Sequence, residues 1–108
     1  MTEENADHRA ALEPWHPMTD PVSVKTLGKL IEELGELQSA AARCLIQGID
    51  AGHPVTGKPN ETWLMEEIAD VMASIELTIE RFFHMNRKDI MERKFAKKQR
   101  LQAWHAKA

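Results

Sequence analysis

Two long runs of apolar residues at helical spacing, separated by a dozen positions rich in glycine and proline, leave this chain few folds to choose from. The first run carries Leu27, Leu30, Ile31, Leu34, Leu37, Ala41 and Leu45; the second carries Leu64, Ile68, Val71, Met72, Ile75, Ile79 and Phe82. Steps of three and four residues put each set on one stripe of an α-helix. Between the runs lie Gly48, Gly52, Pro54, Gly57 and Pro59, a composition that no regular element survives. The spacing predicts a loop there, and loops of this length inside a domain are often functional.

The helix ends are also written in the sequence. Asp20-Pro21 supplies an N-cap acid followed by proline at the first helical position. The first helix is expected to run to about Gln47, with Gly48 as its stop. A second is expected from about Glu61 to Met85. Asn86, with Asp89 three residues on, reads as an N-cap and partial capping box. A third helix follows from about Arg87 to His105. No stretch alternates with period two, so the expected fold is all-α, with antiparallel helices. The first dozen residues are polar and are a candidate short helix ended by Pro14 and Pro17. Residues 1–20 are therefore expected to be a partly ordered extension, and 21–108 the helical domain.

A chain of 108 residues holds one domain. Three helices of this length enclose a thin core, so association with a second copy is expected. The one cysteine, Cys44, excludes an internal disulfide and fits a reducing compartment. No apolar run approaches a membrane span, and Met-Thr-Glu-Glu-Asn lacks the features of a secretory leader. A cytoplasmic protein without a membrane partner is the expectation. The net charge of −3 makes nucleic acid an unlikely general partner. The charge is uneven, however: Arg87, Lys88, Arg93, Lys94, Lys97, Lys98, Arg100 and Lys107 face only Asp89 and Glu92 in the last stretch. Such a helix is either a solvated basic surface or a complement to the acidic centre.

That acidic centre consists of two matched pairs. Glu33 and Glu36 stand on the first helix, Glu67 and Asp70 on the second, each pair at i,i+3. At about 100° per residue, Glu33 falls roughly 80° from the centre of its apolar stripe and Glu36 roughly 140°. Glu67 and Asp70 fall roughly 90° and 150° from theirs. Both pairs begin at the flank of a stripe and climb outward on one side, so packed helices can gather all four. Carboxylates alone suit a hard divalent cation, Mg²⁺ or Mn²⁺. The plainer alternative is a pair of solvated helix surfaces. Gly35 costs its helix roughly 1 kcal/mol relative to alanine and suggests close approach of a helix or ligand there. Glu32 points nearly opposite the stripe. Lys94 shares a face with Ile90, Met91, Lys98 and Leu101, where it either snorkels or meets a phosphate. Cys44 and the histidines form no nucleophile or zinc pattern, and the lack of Glu-x-x-His disfavours a di-iron bundle.

The elements Lys-Leu-Ile-Glu-Glu-Leu-Gly-Glu-Leu and Glu-Glu-Ile-Ala-Asp-Val-Met-Ala together resemble the EExxE and ExxD motifs of the MazG-like, all-α nucleoside triphosphate pyrophosphohydrolases. The resemblance covers roughly Val24 to Leu101 and is to small stand-alone members of phage and prophage type. It implies a four-helix-bundle core built across a subunit interface, in a homodimer or homotetramer. It further implies Mg²⁺-dependent hydrolysis of (deoxy)nucleoside triphosphates to monophosphate and pyrophosphate. Glu33, Glu36, Glu67 and Asp70 would be metal ligands. Glu32 and Glu33 would be the catalytic acids, with Glu32 acting on the attacking water. Lys94 and Lys98 would contact phosphate. Trp63, Trp15 or Trp104 is a candidate to stack on the base, against core or interface packing for each. The family often places asparagine and arginine where this chain has Lys98 and Leu101, and its compact members have a shorter loop between the motifs. A non-catalytic helical dimer, binding a protein or nucleic acid through the basic tail, is the alternative from another class.

Overall fold

A computed structural model describes residues 15–107. Helix α1 spans Pro21–Gln47 and α2 spans Asn60–Phe82. A single 3-10 turn, His84–Asn86, leads into α3, Arg87–Ala106. Among the described residues there is no β-strand, and one isolated bridge joins Gly52 to Pro59. The chain is all-helical, as its periodicity implies. Among the described residues no helix is long and apolar enough to cross a membrane. The short helix sought in the first dozen residues lies outside the described range.

Helix α1 begins as the sequence indicates. Asp20 sits in extended conformation, and its carboxylate accepts the Ser23 N–H at 2.9 Å and the Ser23 hydroxyl at 2.8 Å. The Ser23 amide is one of the orphan donors of a helix start, so the cap removes a buried loss. At the far end Gly48, at φ 100°, donates its N–H to the Cys44 carbonyl at 2.9 Å.

The segment between α1 and α2 is an ordered loop. His53 N–H donates to the Lys58 carbonyl at 2.9 Å, and Gly57 N–H returns to the His53 carbonyl at 2.8 Å. The imidazole Nδ1 of His53 accepts the amides of Val55 and Thr56 at 3.0 and 3.1 Å. Gly52 is needed for this path: a Cβ there would lie 2.9 Å from the Gly57 carbonyl oxygen. Asn60, only 1% exposed, donates from Nδ2 to the Gly48 carbonyl at 3.0 Å and so binds the start of α2 to the end of α1.

The two long helices are antiparallel and tied at both ends. Arg81, near the end of α2, pairs with Asp20 and donates from Nε to Ser23 Oγ at 3.1 Å. Between the ties, the faces in contact are turned off the centres of the apolar stripes and share only Val71 and Ile79 with them among the buried residues. Helix α1 buries Ser23, Glu33 and Ala40; α2 buries Asn60, Val71, Ser74, Thr78 and Ile79. At about 100° per residue, the contact face lies roughly 80° round from the centre of the stripe on α1 and roughly 50° on α2. In an antiparallel pair both stripes then turn to the same side. Ile31 is left 71% exposed and Met72 58%, with Leu34, Ile68 and Ile75 beside them. The buried apolar core is correspondingly thin: Ala40, Val71 and Ile79.

Three expectations need correction. Helix α2 stops at Phe82, not Met85, because Phe83 adopts φ −128°, ψ 24° and the chain tightens into the 3-10 turn. Asn86 stands at the N-cap of α3 without a side-chain cap bond. Its backbone, at φ −111°, ψ 14°, is not the extended form from which Asp20 reaches its N3 amide. Gly35 faces open space, since a Cβ built there meets nothing within 4 Å; no close approach within this chain requires it. Helix α3 buries none of its residues. The radius of gyration, 19.7 Å, exceeds the about 13 Å of a compact domain of this size.

Candidate metal centre

The rotation of the helix faces puts Glu33 inside the α1–α2 contact, with Glu67 half-buried and Asp70 exposed at its edge. Glu33 projects from the buried side of α1 and is 8% exposed. Glu67 and Asp70 project toward it from successive turns of α2. One carboxylate oxygen from each of the three lies within 4.8 Å of the others. Glu33 Oε2 and Glu67 Oε2 are buried with no hydrogen-bond partner. A buried oxygen without a partner costs about 1–3 kcal/mol, more when charged.

An octahedral hard cation fits this donor set. With metal–oxygen distances of about 2.1 Å, neighbouring ligand oxygens stand about 3 Å apart and opposite ones about 4.2 Å. The set is all oxygen, without histidine or cysteine, which suits Mg²⁺ or Mn²⁺ over zinc or copper.

Glu36 lies at the rim, outside this triad and exposed. Its carboxyl is nonetheless held above the usual carboxylate range, chiefly by the Glu33 charge, then by desolvation and by Glu67 and Glu32. Glu36 therefore feels the triad electrostatically without being packed into it. Glu32 is exposed, and its Oε1 accepts from Lys29 Nζ at 3.4 Å. The same ammonium stands 3.2 Å from Glu33 Oε1, and the two carboxylates hold Lys29 above its ordinary lysine value, Glu33 foremost.

Beside the triad is a cleft of about 310 Å³ lined by Lys29, Glu33, Asp70, Ala73, Ser74 and Leu77. It opens on the side of the helix pair away from the apolar stripes. A second cavity of about 220 Å³, lined by Arg43, Gln47, His53 and Pro54, sits by the loop. Next to it Trp63 is half-buried, one turn before Glu67. The Arg43 guanidinium lies 4.3 Å from the indole centroid and Lys58 Nζ 5.3 Å. Trp63 is thus packed against cations at the loop and not in the apolar core.

Lys94 is placed elsewhere. It lines a groove with Met72, Ile75, Glu76, Ile79, Arg87 and Met91, on the face of α2 roughly opposite Asp70 and Ser74 by the 100° rule. Within one chain it is not brought to the triad. Lys98 lies one turn further along α3, exposed. Trp104 is 63% exposed on the same helix, and Trp15, before α1, is also exposed.

Three residues near the site carried no functional reading in the sequence: Lys29, Arg43 and His53. Lys29 had a legible signal, its position four residues before Glu33 inside the first motif. Arg43 and His53 had none, because their meeting at Trp63 depends on how the loop folds back. Compared with known proteins, this chain matches no family model, no curated protein and no solved structure.

Proposed function

We propose that this chain is an Mg²⁺-dependent, MazG-like nucleoside triphosphate pyrophosphohydrolase, releasing nucleoside monophosphate and pyrophosphate. The observation that carries this reading is the convergence of Glu33, Glu67 and Asp70, with two buried carboxylate oxygens left for a cation to complete. The EExxE and ExxD motifs support it, because the three convergent residues are motif positions.

In this reading Glu33, Glu67 and Asp70 hold the cation, and Glu36 at the rim joins them when a dication draws it in. The bound ion supplies Lewis-acid charge neutralisation at the phosphates and acidifies nearby water. Glu32, exposed beside Glu33, takes the proton as water adds to phosphorus. The anhydride P–O bond breaks and pyrophosphate departs. Trp63, with Arg43 at its edge, offers a face to the base. The apolar face of Ile31, Leu34, Ile68, Met72 and Ile75 is covered by a second copy, which makes a four-helix core. Lys94 then offsets phosphate charge in the neighbouring copy's site.

The test is pyrophosphate release from a panel of ribo- and deoxynucleoside triphosphates with Mg²⁺, for the wild type, Glu33→Gln and Asp70→Asn. Turnover by the wild type alone supports the reading. No release from any triphosphate, or equal release by both variants, removes it.

One observation favours a second reading. Helix α3 buries no residue and carries Lys88, Arg93, Lys94, Lys97, Lys98 and Arg100, the arrangement of a basic arm that docks on an acidic partner. Salt-dependent binding of nucleic acid or an acidic protein, without nucleotide turnover, would establish it.

A further inference from the structure

The geometry points to Lys29 as the phosphate-contacting cation that the site's own chain supplies, held by Glu33 until a divalent ion takes its place. The inference rests on the hydrolase reading above. Lys29 forms one wall of the cleft that shares Glu33 and Asp70 with the carboxylate triad. Whatever fills this cleft therefore touches the bound cation on one side and the Lys29 ammonium on the other. Only a ligand with anionic oxygens satisfies both, and the phosphoryl chain of a nucleotide is of that class.

The resting arrangement is that of an exchangeable counter-ion. Lys29 Nζ stands 3.2 Å from Glu33 Oε1 and 3.4 Å from Glu32 Oε1. It neutralises one oxygen of a buried carboxylate whose other oxygen has no partner. The lysine side chain is itself 56% exposed, so its four-carbon stem is free to swing. As a helix-stabilising pair this one is poorly arranged, because glutamate preceding lysine at i,i+4 is the favourable order and here lysine comes first. A dication on Glu33 removes most of the pull on the ammonium. The freed charge then faces the cleft, where a triphosphate brings about four negative charges against three carboxylates. Among the described residues, the cleft lining holds no other basic side chain, and Lys94 lies across α2.

The experiment is calorimetric titration of wild type, Lys29→Met, Lys29→Arg and, as a charge control, Lys25→Met. Each is titrated with Mg²⁺ alone and then, at saturating Mg²⁺, with a non-hydrolysable α,β-imido nucleoside triphosphate. Melting curves establish that each variant folds. The expected result is that Lys29→Met binds Mg²⁺ as tightly as wild type or more tightly. It should bind the analogue about tenfold or more weakly, the loss of one charge-assisted hydrogen bond. Lys29→Arg recovers part of the loss, and Lys25→Met shows none. Analogue binding by Lys29→Met equal to wild type overturns the inference and leaves the hydrolase reading standing. Parallel loss of Mg²⁺ and analogue binding also overturns it, since Lys29 would then only shape the site. Failure of the wild type to bind either removes the hydrolase reading, and this inference with it.

Discussion

Arg81, one residue from the end of the second long helix, is bonded to Asp20, the cap of the first. The pair closes the open end of the helical hairpin, 61 residues apart in sequence. Ser23 joins them, donating to Asp20 and accepting from Arg81. Because the opposite end is tied by Asn60 to Gly48, the two helices cannot readily turn about their axes, and the placement of Glu33 depends on both ties.

Asp20 makes the stability of this hairpin pH-dependent. The Ser23 amide and hydroxyl, then Arg81, hold its carboxyl below the ordinary aspartate value, which is about 3.9. A lowered value in the folded state means that the contribution is complete above the ordinary value and is lost as pH falls through the lowered one. Asp20→Ala should therefore lower Tm by several degrees at neutral pH and by progressively less in acid below about pH 3.9. Thermal melts of wild type and variant from neutral to acid pH check this. A constant difference across the range would count against the cap.

Divalent cation should stabilise the folded chain. A ligand present at 100 times its Kd adds about 2.7 kcal/mol, and the melting temperature should rise accordingly with Mg²⁺ or Mn²⁺ but not with Na⁺ at matched ionic strength. Glu33→Gln and Asp70→Asn should abolish the rise. Glu36→Gln should do something different: without cation it should melt above wild type, because it removes the charge that Glu33 and Glu67 repel. A Glu36→Gln protein that melts below wild type in chelator would show that Glu36 is held by a favourable contact instead.

The apolar face should bring copies together. Ile75 is 41% exposed between Met72 and Ile79, so Ile75→Asp places a charge in the middle of the proposed interface. Light scattering should find wild type as a dimer or tetramer and Ile75→Asp shifted toward monomer, with helicity retained by circular dichroism. A monomeric wild type at assay concentration would dismiss the four-helix core.

Lys94 should act only across copies. Lys94→Met and Asp70→Asn are each expected to be inactive as pure proteins. Refolded together, they should recover up to about a quarter of wild-type turnover if sites form from two copies at random. Undiminished kcat/KM in Lys94→Met would take Lys94 out of the chemistry and assign it to the groove beside Met91.

Much of the backbone path was legible in the residues. Asp20-Pro21 and Gly48 mark the ends of the first helix because capping and positive φ are local requirements, met by a few residue types. The glycines and prolines between 48 and 60 gave the loop for the same reason. The second helix ends three residues before the expected Met85, although nothing local in Phe83 or His84 forbids another turn.

The carboxylate centre was legible only as spacing. Intervals of three residues fix which acids share a side of a helix, and so Glu33 with Glu36, and Glu67 with Asp70, could be paired. They do not fix how far each helix is turned about its axis. That rotation follows from side-chain sizes at the contact, Ser23, Ala40, Ser74 and Thr78, and from the ties at Arg81 and Asn60. The sequence by itself determined three helices, the ends of the first and the acidic pairs, because these follow from interactions within a turn or two. Only the tertiary structure decided that Glu33 is inside and Glu36 at the rim, that Lys29 and not Lys94 stands beside them, and that the apolar stripes face outward together. Those outcomes hang on contacts between residues dozens of positions apart, which no local pattern specifies.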